Sequence, residues 1–467
     1  MKIGMRSLRF FILLFAASSL LFHPPSDFEA FAVTSDATID STVQIDENDT
    51  PFFPELDNND YFGISVANIG DLDGDGVNDL AVGASHDGGN ERGAVYIMFM
   101  NIDGSVDSIV ENNSTNITNI SLAKNDHFGI SVANIGDLNG DGVNDLAVGA
   151  SGDECGSPNN NNRGAVHILF MNTDGSVKDS SVEINCTTTN GPVLASKEGF
   201  GVSVANIGDL DGDGVNDLAV GATHWAAGNP ATFRGALFIM FMTDEGDVKS
   251  TVDHDEITGN LVLGDDDYFG RSVANIGDLD GDGVNDLAVG ATRDDTGVDE
   301  NGELTSATYR GAVYIMFMNI DGTAKDSSVE INDYTTYGPV LGDNDKFGSS
   351  VANLGDLDGD GVNDLAVGAI GDDEGCSDCG AVHIMFMNID GTPKSTVEIN
   401  QTTTNGPNSD PNSLTSHDIF GSSVANIGDF DGNGVIDLAV GAAGSAGGNN
   451  NKRGAMYIIF LHMEMLP

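Results

Sequence analysis

One phrase recurs six times along these 467 residues: Phe-Gly, a few residues, Val-Ala-Asn, an aspartate-glycine loop, then Asp-Leu-Ala-Val-Gly-Ala. The copies start at Phe62, Phe128, Phe200, Phe269, Phe347 and Phe420, a period of roughly 70 residues. A chain of this length would ordinarily divide into several domains. Units that repeat at a fixed period instead stack on one another and share one quasi-continuous core, so residues 33–467 are read as a single repeat domain.

The fifth copy shows what one unit contains. Residues 347–357, 364–369, 380–387 and 395–399 are short apolar runs rich in Val, Ile, Phe and Ala, each bounded by Gly, Asp or Asn. Such runs read as strands rather than helices. Third strands such as Val313-Tyr314-Ile315-Met316-Phe317-Met318 are apolar on both faces, so both faces must be covered. Four strands per unit repeated radially give an all-β, six-bladed β-propeller, with seven blades as the alternative; a β-solenoid usually has a much shorter repeat. The sixth copy stops after its third strand, 455–461, while residues 40–45 (Asp-Ser-Thr-Val-Gln-Ile) resemble the fourth strands 326–331 and 181–184. The N-terminal strand is therefore expected to complete the last blade, close the ring and remove an open edge.

The aspartate loops carry the chemistry. Carboxylates at every second position of a nine-residue loop repel one another unless a cation lies between them. Side chains at positions 1, 3 and 5, a backbone carbonyl at position 7 and a carboxylate at position 9 form an all-oxygen set, which favours Ca²⁺ over zinc or copper, and the Gly at position 6 permits the sharp turn. The expected ligands are Asp71, Asp73, Asp75, Val77 and Asp79 in the first copy; Asp137, Asn139, Asp141, Val143 and Asp145 in the second; and Asp209, Asp211, Asp213, Val215 and Asp217 in the third. The fourth offers Asp278, Asp280, Asp282, Val284 and Asp286, the fifth Asp356, Asp358, Asp360, Val362 and Asp364, and the sixth Asp429, Asp431, Asn433, Val435 and Asp437. Up to six Ca²⁺ ions are thus expected, in a structural role, with weaker binding where Asn139 and Asn433 replace an acid. Val82 stands where an EF-hand would need its bidentate Glu, so these are not EF-hands.

Phe-Gly, the Asp-rich loop and Leu-Ala-Val-Gly-Ala together resemble the FG-GAP repeat of the integrin alpha-chain propeller, and the resemblance covers almost all of residues 33–467. It implies a propeller with calcium loops and a role in adhesion or recognition. On this reading the chain is expected to depart from integrin alpha in its copy number, in having an acidic loop in every copy and in the family's stalk domains. The proline of the family's Gly-Ala-Pro is replaced by Ser85, Ser151, Thr223, Thr292, Ile370 and Ala443.

In a four-stranded meander, the loops joining strands one to two and three to four share one face. The calcium loops therefore mark one side, and the variable two-to-three loops mark the other. Residues 293–310 form the longest of these variable loops, and His224-Trp225 in the third copy includes the single Trp. Specificity usually resides where copies differ on a constant frame. Trp225 either stacks on a sugar or packs beneath its own loop. Cys155 and Cys186 fall on this face within one blade and are candidates for a disulfide, and Cys376 and Cys379 for a tight bridge. His86, His127, His224 and His254 share no triad-like spacing, His167 and His383 occupy the third-strand position of Tyr96, and the Gly-rich segments are turns. A non-enzymatic protein is expected.

Charge and the N-terminus bound the setting. Asp and Glu number 73 against 18 Lys and Arg, for a net charge of −55. The six loops hold 22 of the acids, so a large excess lies elsewhere. It excludes nucleic-acid partners and points to cationic partners, calcium-rich water, a saline habitat or simple solubility. Lys2, Arg6 and Arg9 precede the apolar run 10–22, and Ala30-Phe31-Ala32 offers a cleavage site; residues 1–32 read as a secretory signal, an uncleaved anchor being the alternative, with no membrane span elsewhere. The sequons at Asn112, Asn116, Asn119, Asn185 and Asn400 fit a secreted glycoprotein. The expectation is a secreted, calcium-binding module with an extracellular protein ligand on the variable-loop face; a glycan ligand, or catalysis on polysaccharides, is the alternative.

Overall fold

The computed structural model describes residues 33–46, 56–155, 162–225, 232–255, 261–295, 309–407, 414–445 and 452–465. The secretory signal expected at 1–32 and most of the 293–310 loop lie outside them. Six four-stranded antiparallel sheets are arranged as the blades of a propeller. A first strand, β1 (Val33–Ile45), precedes blade 1, which comprises β2 (Phe62–Gly70), β3 (Asp79–Ala84), β4 (Ala94–Met100) and β5 (Val106–Asn113). The other blades repeat this pattern. First strands end at the glycine just before the aspartate loop, earlier than the apolar run suggested, because Asp71 and its counterparts already belong to the turn.

Burial explains the composition of the strands. Every residue of β3 and β4 is buried, which accounts for runs that are apolar without alternation. The Phe of each Phe-Gly pair is fully buried, and its ring meets a third-strand ring edge-on. Phe62 packs on Tyr96, with centroids 5.6 Å apart, and the same contact recurs as Phe128–His167, Phe200–Phe238, Phe269–Tyr314, Phe347–His383 and Phe420–Tyr457. Burying such a side chain is worth about 1.5–3 kcal/mol, and an edge-to-face pair adds ~1 kcal/mol. His167 and His383 are packing residues, as their register suggested, and burial alone pulls their pKa down to about 4.

Two polar rings tie blade to blade. The serine of each first strand donates to the next blade's Phe-Gly glycine carbonyl: Ser65 to Gly129, Ser131 to Gly201, Ser203 to Gly270, Ser272 to Gly348, Ser350 to Gly421 and Ser423 to Gly63, all at 2.8–2.9 Å. The circuit closes on itself. Nearer the aspartate loops, the Asn of Val-Ala-Asn donates to the preceding blade, as in Asn134 to the Asn68 carbonyl at 3.1 Å. The backbones approach so closely that a Cβ on Gly83 would lie 1.9 Å from the Gly129 carbonyl oxygen, and the equivalent second-strand glycines show the same approach.

Ring closure follows the expected route. β1 pairs antiparallel with the third strand of blade 6, Ala455–Met465, in a register that sets Ile39 opposite Leu461 and Ile45 opposite Met456. The last sheet therefore runs from β1 through Ala455–Met465 and Asp437–Ala442 to Phe420–Gly428. This arrangement matches the six-bladed reading and not the seven-bladed alternative.

Candidate metal centre and the variable face

Each aspartate loop is organised around the carboxylate at position 1. Asp71 accepts a hydrogen bond from the Gly76 N–H at 2.9 Å, and the same bond recurs in all six loops at 2.7–2.9 Å. The glycine at position 6 has φ between 87° and 96° throughout, a region that a residue with a Cβ resists. The position 5 side chain accepts from the N–H of the valine at position 7, as in Asp75 from Val77 at 2.8 Å. Val77 and its counterparts also lean on the hydrophobic core.

Position 9 does more than the spacing implied. Asp79 is only 1% exposed. One of its oxygens accepts the Leu72 N–H at 2.8 Å and the other accepts the Met100 N–H at 3.1 Å. It thus locks the loop onto the start of the three-to-four turn, and Asp145, Asp217, Asp286, Asp364 and Asp437 do the same. Burial raises the pKa of Asp79, Asp217, Asp364 and Asp437 to about 6, and the acid at loop position 3 adds to the rise in each. Lys249 and Lys394 offset part of this rise at Asp217 and Asp364, and a divalent ion held at the loops would offset more.

The donor set fits a hard cation. Oxygens of Asp71, Asp73 and Asp79 lie within 4.8 Å of one another, as do those of Asp209, Asp211 and Asp217, those of Asp356, Asp358 and Asp364, and in blade 4 those of Asp278, Asp280 and Asp282. The Asn at position 8 staples the loop to the preceding blade: Asn78 donates to the Ile427 carbonyl at 2.9 Å, and Asn144, Asn216, Asn285 and Asn363 do likewise. Blade 6 has Ile436 at this position. Asn433 turns its amide to the Leu461 carbonyl at 2.8 Å, and Asn139 turns its amide to Asp145 at 3.3 Å.

Sequence reasoning missed a ring of lysines. The second residue of the fourth strand, on the same face, carries an ammonium into the loop in blades 2–5. Lys178 meets Asp141, Lys249 bridges Asp211 (3.4 Å) and Asp213, Lys325 lies 2.7 Å from Asp282, and Lys394 lies 3.2 Å from Asp358. Blade 1 has Asp107 at this register position, and in blade 6 Asp40 follows Ile39, the partner of Leu461. The alternation of Lys and Asp after Val106, Val177, Val248, Ala324 and Pro393 was the available signal.

On the opposite face, Cys155 is disulfide-bonded to Cys186 and Cys376 to Cys379. Trp225 packs against the hydrophobic core, edge-on to Phe238 at 5.3 Å, with its indole N–H donated to Asp255 at 3.2 Å. Histidines that are scattered in sequence meet here: His86 stacks on His127 with centroids 4.5 Å apart, and His127 lies 3.8 Å from Glu91. His254 is buried, 2.7 Å from the Gly322 carbonyl. Of the sequon asparagines named above, Asn112, Asn185 and Asn400 are also buried. Asn112 donates to the Gly175 carbonyl of the next blade at 2.9 Å, and the side-chain oxygens of Asn185 and Asn400 accept N–H groups two residues on. Asn116 and Asn119 are exposed.

Comparison with known proteins agrees with this architecture. The family profile described as the FG-GAP repeat matches residues 62–98, 128–169, 200–240, 269–316 and 347–385. The chain is an FG-GAP repeat protein. The copy beginning at Phe420, which carries Phe430, Asn433 and Ile436 in its loop, builds the same strands as the other five. This FG-GAP protein is similar to integrin alpha-5 of Xenopus laevis, at 32% identity over 260 residues covering 53% of this chain and 20% of that one. It is also similar to integrin alpha-4 of Xenopus laevis (31% identity, 37% of this chain and 15% of that one) and to integrin alpha-11 of Homo sapiens (34%, covering 35% and 12%). The chain spans a fifth or less of the length of these relatives. Among the described residues, no helix is long and apolar enough to cross a membrane.

Proposed function

We infer that this FG-GAP protein is a secreted, non-enzymatic recognition module in which Ca²⁺ ions braced between blades hold rigid a variable face that binds a protein ligand. The observation that carries this reading is the loop itself. Clustered carboxylate oxygens sit in a turn whose position 8 Asn is bonded to the neighbouring blade, so an ion held there stiffens a seam and not merely a turn. The ligand set is that of positions 1, 3, 5, 7 and 9 in each copy. The integrin alpha relatives support adhesion as the setting, and Trp225, packed inward, speaks against a stacking site for sugars.

The lysines refine the cation sites. Blade 1, with four acids, Asp107 and no lysine, is the tightest; blade 2, with Asn139 and Lys178, is the weakest. Lys249→Gln should tighten calcium binding about 5-fold, and Asp107→Lys should weaken blade 1 by a similar factor. Calorimetric titration checks both, and unchanged isotherms would remove the lysines from the account. Immobilised full chain should support adhesion of cells bearing the protein ligand, with adhesion lost in chelator and a glycan array left blank. Chelator-resistant adhesion or strong glycan binding would overturn the reading.

A further inference from the structure

The propeller axis has an electrostatic character opposite to that of the rest of the protein. At the third residue of each first strand the channel wall reads Ile64, Ile130, Val202, Arg271, Ser349 and Ser422 around the ring. Blades 1–3 thus supply an apolar half and blades 4–6 a polar half. Arg271 is the one charged residue lining this channel, a cavity of about 90 Å³, and it makes no hydrogen bond or ion pair with any described residue. Its guanidinium is surrounded by protein yet reached by solvent along the axis. Burial holds its pKa below the usual arginine range without an acid to offset the cost.

The mouth of the channel on the variable face continues the pattern. Val202 lines both the channel and a wider cavity of about 350 Å³, whose wall includes His127, Lys197 and His224 and no carboxylate. Beside it, the Arg293 guanidinium lies 4.1 Å above the Tyr268 ring and 5.1 Å from that of Tyr309, while Tyr268 packs on His224 at 5.0 Å. In a chain of net charge −55, a funnel whose lining carries no carboxylate and is set with two guanidinium groups and Lys197 is locally positive, with Glu91 beside His127 and Asp266 near His224 the acids at its rim. A locally positive field steers anions.

We propose that the funnel is a carboxylate receptor: a glutamate side chain of a partner protein enters from the variable face, lays its methylenes along Ile64, Ile130 and Val202, and pairs its carboxylate with the Arg271 guanidinium. A planar guanidinium matches a carboxylate through two parallel hydrogen bonds, and a long side chain with an apolar stem and charged tip suits a shaft that is half apolar. An acidic sugar fits less well. The serine hydroxyls of the wall are already donated to backbone carbonyls, Ser349 to Lys346 at 2.6 Å and Ser350 to Gly421 at 2.8 Å. The hydroxyls of a pyranose would therefore meet few partners and lose their water.

This inference rests on the variable face being the recognition face, and the test separates the two. A random peptide library displayed on phage is panned on the immobilised full chain in calcium, and the recovered peptides are titrated against the wild type, Arg271→Val and Arg271→Lys. Val is the residue that blade 3 carries at this position, so melting curves should match the wild type. Recovered peptides should share a glutamate whose replacement by glutamine weakens binding about 10-fold or more; Arg271→Val should cost the same and Arg271→Lys less. Peptides that bind Arg271→Val undiminished, or that carry a shared Lys or Arg instead, overturn the receptor while leaving the face as a recognition surface. Failure to recover any acidic peptide, or Arg271-dependent binding confined to uronate- and sialate-terminated glycans in a parallel array, also overturns it.

Discussion

Removing calcium from the full chain with a chelator should lower its melting temperature by about 10 °C or more, and restoring the ion should restore the transition. An ion that binds only the folded state contributes about 2.7 kcal/mol at a concentration 100-fold above its dissociation constant, and several such sites act on one ring. A kcal/mol moves the midpoint of a 150–250-residue protein by ~2–4 °C, and a longer chain by somewhat less. Because Asn78, Asn144, Asn216, Asn285 and Asn363 bond five of the loops to the blade before them, loss of the ion should loosen seams between blades and not only local turns. Calorimetry in chelator and in calcium reads the shift directly. A transition that stays in place, together with no calcium uptake, would mean that the loops are acidic turns and nothing more.

The second large effect comes from a glycine with no strained dihedral. Gly83→Val should cost more than about 4 kcal/mol and leave the protein largely insoluble, because the new side chain would displace the Gly129 backbone carbonyl of the next blade. Gly74→Ala supplies the contrast. That glycine has φ +83° but nothing within 4 Å of where a Cβ would stand, so only the conformational cost of ~1 kcal/mol applies. Chemical denaturation of the two variants measures both. Similar losses would mean that blade approach is not what selects glycine in the second strand.

Much of the fold was legible because the repeat reports its own boundaries. Phe-Gly marks the start of every first strand, the aspartate loop its end, and the missing fourth strand of the last copy identified residues 40–45 as its replacement. The disulfides were legible for the same reason: knowing which loops share a face places Cys155 near Cys186. What escaped was whatever depends on neighbours across a seam. Lys178, Lys249, Lys325 and Lys394 read as ordinary solvated charges until the three-to-four turn lays them against the aspartates. The asparagine at position 8 carries no sign of its target, which lies in another blade. Arg271 is one residue of variation in a strand that otherwise differs by Ile, Val or Ser, and only the radial arrangement turns that variation into a charge on the axis. The sequons carry a second meaning that the sequence does not separate, since Asn-x-Thr at Asn185 and Asn400 is also the pattern of an asparagine whose side chain bonds the backbone two residues on.

The strand Val33–Ile45 is made first and finds its partner last. Roughly 400 residues separate it from Ala455–Met465, and at ~5–20 residues per second a ribosome takes about 20–80 s to deliver that partner. Throughout that interval the nascent chain carries an unpaired ribbon beside an incomplete barrel of sheets. Two molecules at this stage hold complementary halves of the same blade, so crowded synthesis favours exchange of the ribbon between neighbours, and an intertwined dimer is the misassembly this topology makes most accessible.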